Sequence, residues 1–157
     1  MAFNIDKKVE GQTAIIALKG NIDEDASFAG SEIGAVSQIT LDLQEVKAIN
    51  SCGIREWINW IRTANEGAQI TFKNCPKIIV DQINMVAGFL PEKAKVQSFY
   101  VPYYCESSGN EKMVLFTEGK EVKGSEVFAP EEVKDDESGE FMEMDVIEAK
   151  YFKFLNR

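Results

Sequence analysis

Apolar residues follow two different periods along the first two-thirds of the chain, and each change of period marks a predicted element. Ile5 and Val9 lie on one side of a short alternating segment, and Gly11 signals a turn. A nearly continuous apolar run, residues 13–18, comes next. This pattern predicts a hairpin whose second strand is central in a sheet and buried on both faces.

The next strand is predicted to lead directly into a helix. Residues 39–43 alternate between apolar and polar, and a polar turn, Asn50-Ser51-Cys52-Gly53, lies a few positions further on. Beyond the turn, apolar residues recur at helical spacing: Ile54, Trp57, Ile58, Ile61 and Ala64. Asn50 and Ser51 are good N-cap residues, because their side-chain oxygens can accept the free amides of a first helical turn. In α/β domains, a helix that starts behind a buried strand often binds ligands and anions.

An acidic loop, Gly20 to Asp25, connects the hairpin to this central unit. We expect its carboxylates to lie at the mouth of the sheet, although acids in such loops also serve as turn and cap residues. Asp25 precedes a stretch that predicts a weak helix, because Gly30 and Gly34 interrupt it.

Two further elements complete a predicted mixed sheet. Residues 69–74 predict a strand, and Pro76 suits the first turn of a helix capped by Asn74 or Cys75. The apolar stripe of that helix comprises Ile79, Ile83, Val86 and Leu90. Residues 96–104 predict an aromatic strand. The predicted fold class is therefore α/β, a mixed β-sheet with helices packed on it.

From Cys105 onward, the pattern predicts short strands and turns. Residues 113–116 and 127–128 are expected to form short strands, and the acidic residues 131–140 to form turns. Asp145 is expected to cap a final amphipathic helix. Its predicted docking face comprises Val146, Ile147, Tyr151, Phe152, Phe154 and Leu155.

The amino-acid composition excludes several classes of catalytic site, metal site and partner. The 157 residues include no histidine, which removes Ser-His and Cys-His catalytic pairs and histidine metal sites. The net charge of −9, without a basic cluster, argues against nucleic acid and anionic membrane surfaces as partners. Three cysteines are too few and too scattered for a disulfide framework. Without a membrane-length apolar run or a signal-peptide pattern, we expect a cytoplasmic protein.

The strand, N-S-C-G turn and helix, together with the hairpin and the polar loop, resemble the STAS domain, the fold of anti-sigma factor antagonists. In that family a strand ends in D-S-S-G or a near variant, and a partner kinase phosphorylates the first serine. The resemblance places the phosphoacceptor at Ser51, with Asn50 in the position of the aspartate and Cys52 in that of the second serine. It implies a STAS-like domain at residues 1–104, followed by a C-terminal hairpin and helix extension at residues 105–157.

The extension itself resembles a zinc ribbon that has lost its ligands. Residues 105–109 have the form C-x-x-C-G without the second cysteine, and residues 135–140 resemble a second knuckle without either cysteine. An ordinary hairpin with acidic turns is the alternative. Both interpretations predict no zinc, and we expect no metal or other cofactor.

The resemblance implies a non-enzymatic regulatory domain whose partner is a regulatory protein, either an anti-sigma factor or a kinase-like protein. The predicted partner-binding residues are Asn21, Asp23, Glu24, Asp25, Asn50, Cys52, Gly53 and Arg55, around the phosphoacceptor candidate Ser51. One alternative is a small-ligand or nucleotide-binding domain that uses the same helix N-terminus as an anion site. Another is a structural protein whose turn has decayed. Catalysis by Cys52 is not expected, since no histidine is present to activate the thiol.

Overall fold

The computed structural model describes residues 2–156 and arranges them as a mixed α/β fold. In chain order the elements are β1 (Asn4–Glu10), β2 (Thr13–Ile22), β3 (Gln38–Ile49), α1 (Ser51–Ile61), β4 (Gln69–Lys73), α2 (Lys77–Met85), β5 (Lys95–Val96), β6 (Ser98–Tyr104), β7 (Glu111–Thr117), β8 (Val122–Lys123), β9 (Glu126–Val127), β10 (Glu143–Met144), α3 (Glu148–Tyr151) and a 3-10 turn (Lys153–Asn156). Within residues 2–156, none of these helices is long and apolar enough to span a bilayer.

The main sheet has the strand order β1-β2-β3-β4-β5. β1 is antiparallel to β2, whereas β2, β3, β4 and β5 pair in parallel. Gly11 has a φ of +60°, a conformation that glycine adopts without strain, and it makes the tight turn of the β1–β2 hairpin. The predicted class, a mixed sheet with helices packed on it, is therefore confirmed.

The second strand lies between two others, β1 and β3, but it is buried on one face only. Ala14, Ile16 and Leu18 are fully buried, whereas Ile15 between them is 46% exposed. β3 alternates in the same way, with buried apolar residues separated by polar ones. The prediction that β2 is buried on both faces is wrong, because a run of apolar residues does not reveal whether a second layer covers the sheet.

The predicted weak helix after Asp25 does not form. Gly30 and Gly34 take φ values of +74° and +84°, which no α-helix contains. The segment instead crosses α1 as an irregular strap, and Phe28 packs against Trp60 with ring centroids 5.1 Å apart. Tertiary contacts with the helix therefore replace local helical hydrogen bonds.

The predicted strand at residues 96–104 is two strands in two sheets. Val96 belongs to β5 at the edge of the main sheet, whereas β6 pairs with β7 and β10 in a second, antiparallel sheet. The break lies at Gln97, whose N–H donates to the Phe72 carbonyl. One hydrophobic core, containing Trp57 and Phe99, joins both sheets. The division into domains at residues 104 and 105 stays a prediction.

Neither predicted cap residue closes α2. Pro76 takes the N-cap position without a side-chain hydrogen bond. Asn74 has a φ of +55°; its side-chain nitrogen donates to Asp42 over 3.2 Å, and its side-chain oxygen accepts from the Ser98 hydroxyl at 3.3 Å. Its backbone N–H donates to the Ser98 hydroxyl over 2.8 Å, which ties β4 to β6.

The C-terminal segment forms a single α-helical turn followed by a 3-10 turn. Ile147, which makes no side-chain capping bond, is the N-cap in place of the predicted Asp145. Tyr151, Phe152 and Phe154 are buried, as expected of a docking face, but Ile147 is 65% exposed. One turn is too short to bury every residue of the predicted stripe.

Phe154 provides a test of this packing. Its ring meets Phe99 edge to face at 5.1 Å and is 7% exposed. We expect Phe154→Ala to lower the free energy of unfolding by roughly 3–5 kcal/mol, measured by urea denaturation, since it empties an aromatic site. Ile147→Ala is the matched control and should change it by less than about 0.5 kcal/mol. Equal effects of the two substitutions would show that the segment is not packed in solution.

Candidate functional site

Asn50 caps α1, and Ser51 is the first residue of the helix. The Asn50 side-chain oxygen accepts the Gly53 N–H at 2.9 Å, and the Asn50 carbonyl accepts the Ile54 N–H at 2.8 Å. The sequence left two cap candidates open, and the geometry selects Asn50. Ser51 is exposed at the helix start, and its hydroxyl is not used as the cap.

Gly53 lies against the end of β2 more closely than any other residue type allows. A Cβ atom at this position would be 1.8 Å from the Ile22 carbonyl oxygen and 2.5 Å from its carbon. The same carbonyl accepts the Asn50 N–H at 3.2 Å. The end of β2 and the first turn of α1 therefore form one unit.

The acidic loop is a compact turn that follows directly from β2. Asn21 belongs to β2 rather than to the loop, pairs with Ala48 and is half-buried. The Asp23 carboxylate accepts the Asp25 N–H at 3.0 Å, so Asp23 stabilises the turn itself. Asp25 is exposed.

Glu24 connects this acidic turn to the helix cap. The Asn50 side-chain amide donates to the Glu24 carboxylate over 2.7 Å while its oxygen caps the helix. The hydrogen bond from Asn50 and one from the Glu24 backbone lower the pKa of the Glu24 carboxyl below its usual value. Both halves of the asparagine amide are in use, as acceptor and as donor.

The structure places four of the nine predicted site residues around one cleft. Glu24, Asp25, Cys52 and Arg55 line a shared cleft beside the helix start. Gly53 is buried, so it shapes this surface without being part of it. Sequence reasoning missed Glu56, which lines the same cleft and lies four residues after Cys52 on one side of α1.

The charges of the cleft bear on which ligands it could accept. The charged residues that line the cleft are three carboxylates, on Glu24, Asp25 and Glu56, and the Arg55 cation. An anion such as a nucleotide phosphate would be repelled, which counts against the ligand-binding alternative. Among residues 2–156, no group of three or more acidic or cysteine side chains is arranged to hold a metal ion.

The buried side of α1 fixes this surface in place. The Trp57 ring stacks on Phe89 at 4.9 Å, and its indole N–H donates to the Phe89 carbonyl at 3.0 Å. The Trp60 indole N–H donates to the Ser31 carbonyl at 2.6 Å. Both tryptophans are buried and hydrogen-bonded, so the helix cannot readily turn about its axis.

Comparisons with known proteins give little further information. No family model matches the sequence, and no curated protein matches it. A similar solved structure is that of the anti-sigma factor antagonist SpoIIAA in its unphosphorylated form. It is 20% identical over 46% of this chain and 73% of that chain, with a TM-score of 0.33. A likeness at this level assigns no function.

Replacement of Gly53 tests the contact with β2. We expect Gly53→Ala to lower the free energy of unfolding by roughly 1–3 kcal/mol in urea denaturation, because the new methyl group must displace backbone. Gly67→Ala is the matched control, since a Cβ there meets nothing within 4 Å. It should leave stability within about 0.5 kcal/mol. Equal stability of Gly53→Ala and the native chain would disprove the contact.

The pairing of Asn50 with Glu24 predicts a dependence on pH. In the native chain the lowered Glu24 pKa stabilises the fold above the unfolded-state pKa, and this contribution is lost as pH falls through the folded-state pKa. Asn50→Asp keeps a good cap but places a second carboxylate beside Glu24. We expect NMR titration to show a higher Glu24 pKa in this variant. Its stability relative to the native chain should fall as pH rises through the carboxylate range.

A second substitution provides the control for that experiment. Glu24→Gln removes one of the two carboxylates, so in the Asn50→Asp background it should restore most of the stability lost above the carboxylate range. An unchanged Glu24 pKa in Asn50→Asp would mean that the two side chains do not meet in solution.

Proposed function

We propose that this chain is a non-enzymatic, STAS-like interaction domain that binds a regulatory protein, an anti-sigma factor or a kinase-like protein. The proposed contact surface comprises the acidic turn, the start of α1 and the exposed side of that helix. The observation that carries the proposal is the hydrogen bond from Asn50 to Glu24, which joins the turn and the helix start into one exposed surface.

The topology supports the STAS-like part of the proposal. An antiparallel hairpin leads to a parallel third strand, and that strand ends at the N-S-C-G turn and helix. This is the arrangement that the sequence resemblance implies around Ser51.

Rigidity supports a role in protein binding. The helix is held by its two buried tryptophans, and its start is held by the contact between Gly53 and Ile22. A preformed surface loses less conformational entropy on association than a mobile loop does. Ser51, Cys52 and Arg55 are exposed on this fixed helix and available to a partner.

Ser51 is the proposed switch. A phosphate on Ser51 adds a charge of about −1.5 to −2 near neutral pH, which a helix N-terminus tolerates. Beside Glu24 and Asp25, the same charge deepens a negative surface. A partner that buries the small, uncharged Ser51 side chain would have to desolvate that charge, so binding would weaken.

Two substitutions test the switch. We expect Ser51→Ala to keep both the fold and partner binding, and Ser51→Asp to keep the fold but bind at least about tenfold more weakly, equivalent to about 1.4 kcal/mol. The affinity is measured by calorimetry against a protein that copurifies with the tagged chain, and circular dichroism monitors the fold.

Gln12→Asp is the charge-matched control. Gln12 is exposed in the β1–β2 turn, at the opposite end of β2 from the acidic turn. This variant has the net charge of Ser51→Asp and should bind like the native chain. Equal weakening by both variants would indicate a general charge effect. Unchanged binding by Ser51→Asp would show that Ser51 is no switch.

A further inference from the structure

Two turns in the C-terminal extension have the same backbone geometry. Residues 105–110 and 135–140 each contain a glycine at positive φ, +76° for Gly109 and +74° for Gly139. In each turn the glycine N–H donates over 2.8 Å to a carbonyl four residues earlier, that of Cys105 or Asp135. In each turn the first residue's N–H donates over 2.9 Å to the sixth residue's carbonyl.

The first and fourth side chains of both turns converge on one point. The hydroxyls of Ser108 and Ser138 both donate over 2.7 Å to the same oxygen of Asp135. The Cys105 sulfur lies 3.9 Å from the Ser138 hydroxyl. Cys105 and Asp135 are both buried, at 1% and 5% exposure. Ser108 and Ser138 are exposed, so the four side chains, two from each turn, form a cluster that is buried only on the side of Cys105 and Asp135.

The positions of these four residues in their turns are those of the ligands of a tetrahedral metal site. Pairs of ligands at positions one and four of a turn are typical of structural zinc sites. Zinc–thiolate bonds of about 2.3 Å place neighbouring sulfurs about 3.8 Å apart, close to the separation of Cys105 and Ser138. The residues present do not fit zinc, however, because one thiol, one carboxylate and two neutral hydroxyls replace the thiolates and imidazoles that it prefers.

We propose that Cys105, Ser108, Asp135 and Ser138 occupy the four ligand positions of a tetrahedral metal site, and that the Asp135 carboxylate cross-links the two turns in place of the metal. Asn110 from the first turn strengthens the cross-link, since its side-chain amide donates to both Asp135 oxygens, over 3.2 and 3.1 Å. Hydrogen bonds to an ionised carboxylate are stronger than those between neutral groups. This proposal does not depend on the proposed function of the Ser51 surface.

Removal of the carboxylate tests the cross-link. We expect Asp135→Ala to lower the melting temperature by roughly 5 °C or more, because it removes the carboxylate that accepts from Ser108, Asn110 and Ser138. Asp136→Ala is the matched control: its side chain is 86% exposed and pairs with Lys112 on the surface. It should change the melting temperature by less than about 2 °C. Equal shifts for both variants would overturn the proposal.

Restoration of the ligands tests the site geometry. The variant Ser108→Cys/Asp135→Cys/Ser138→Cys, with the native Cys105, should bind one Co²⁺ per chain. Its spectrum should show thiolate charge-transfer and tetrahedral d–d bands, and zinc should displace the cobalt. A further Cys105→Ser substitution should weaken zinc binding at least tenfold, since it removes one thiolate.

The folding of the triple-cysteine variant and the zinc content of the native chain test the proposal further. If the variant folds only when refolded with zinc, the proposal is supported, because structural zinc contributes folding energy directly. If it stays unfolded with zinc, or binds cobalt without a tetrahedral spectrum, the proposed geometry is wrong. The native chain should contain no stoichiometric zinc, and a chelator should leave its melting temperature unchanged. One zinc per native chain would contradict the role of Asp135.

Discussion

The absence of a side chain at Gly53 sets how the sheet meets the first helix. Because the Ile22 carbonyl occupies the space that a Cβ would need, the end of β2 rests directly on the first turn of α1. The acidic turn begins one residue later, so its position relative to the helix is fixed by the same contact. Trp57 holds the helix from the other side, in the core. The exposed surface around Ser51 is therefore a consequence of backbone packing.

The electrostatics of this surface explain why an asparagine suits position 50. The D-S-S-G pattern of the STAS family would place an aspartate there, within reach of Glu24. Two carboxylates at that separation would repel each other, whereas the asparagine amide donates to Glu24 and still caps the helix. Asn50 and Glu24 thus form a matched pair. The difference from the D-S-S-G pattern, which the N-S-C-G turn resembles, therefore has a local electrostatic reason.

The spacing of apolar and polar residues correctly predicted those elements that are formed by contacts between residues close together in the sequence. The β1–β2 hairpin and the turn into α1 are of this kind. Contacts between residues far apart in the sequence determine the elements that were predicted wrongly. The irregular segment that contains Phe28 packs on Trp60 instead of forming a helix. The strand predicted at residues 96–104 breaks at Gln97, because β5 pairs with β4 whereas β6 pairs with β7. At the candidate site, the motif predicted a capped helix start with Asn50 and Ser51 as the two cap candidates, and the structure selects Asn50. The motif did not predict the bond between Glu24 and Asn50, since 26 residues separate them.

Binding of a protein at the start of α1 should be visible in hydrogen–deuterium exchange of the full chain, measured alone and with the protein that copurifies with it. We expect added protection of backbone amides in residues 21–27 and 50–56, with little change on β1 or in the two turns of the extension. Protection confined to β1 or to the extension, with residues 50–56 exchanging as in the free chain, would contradict binding at the start of α1.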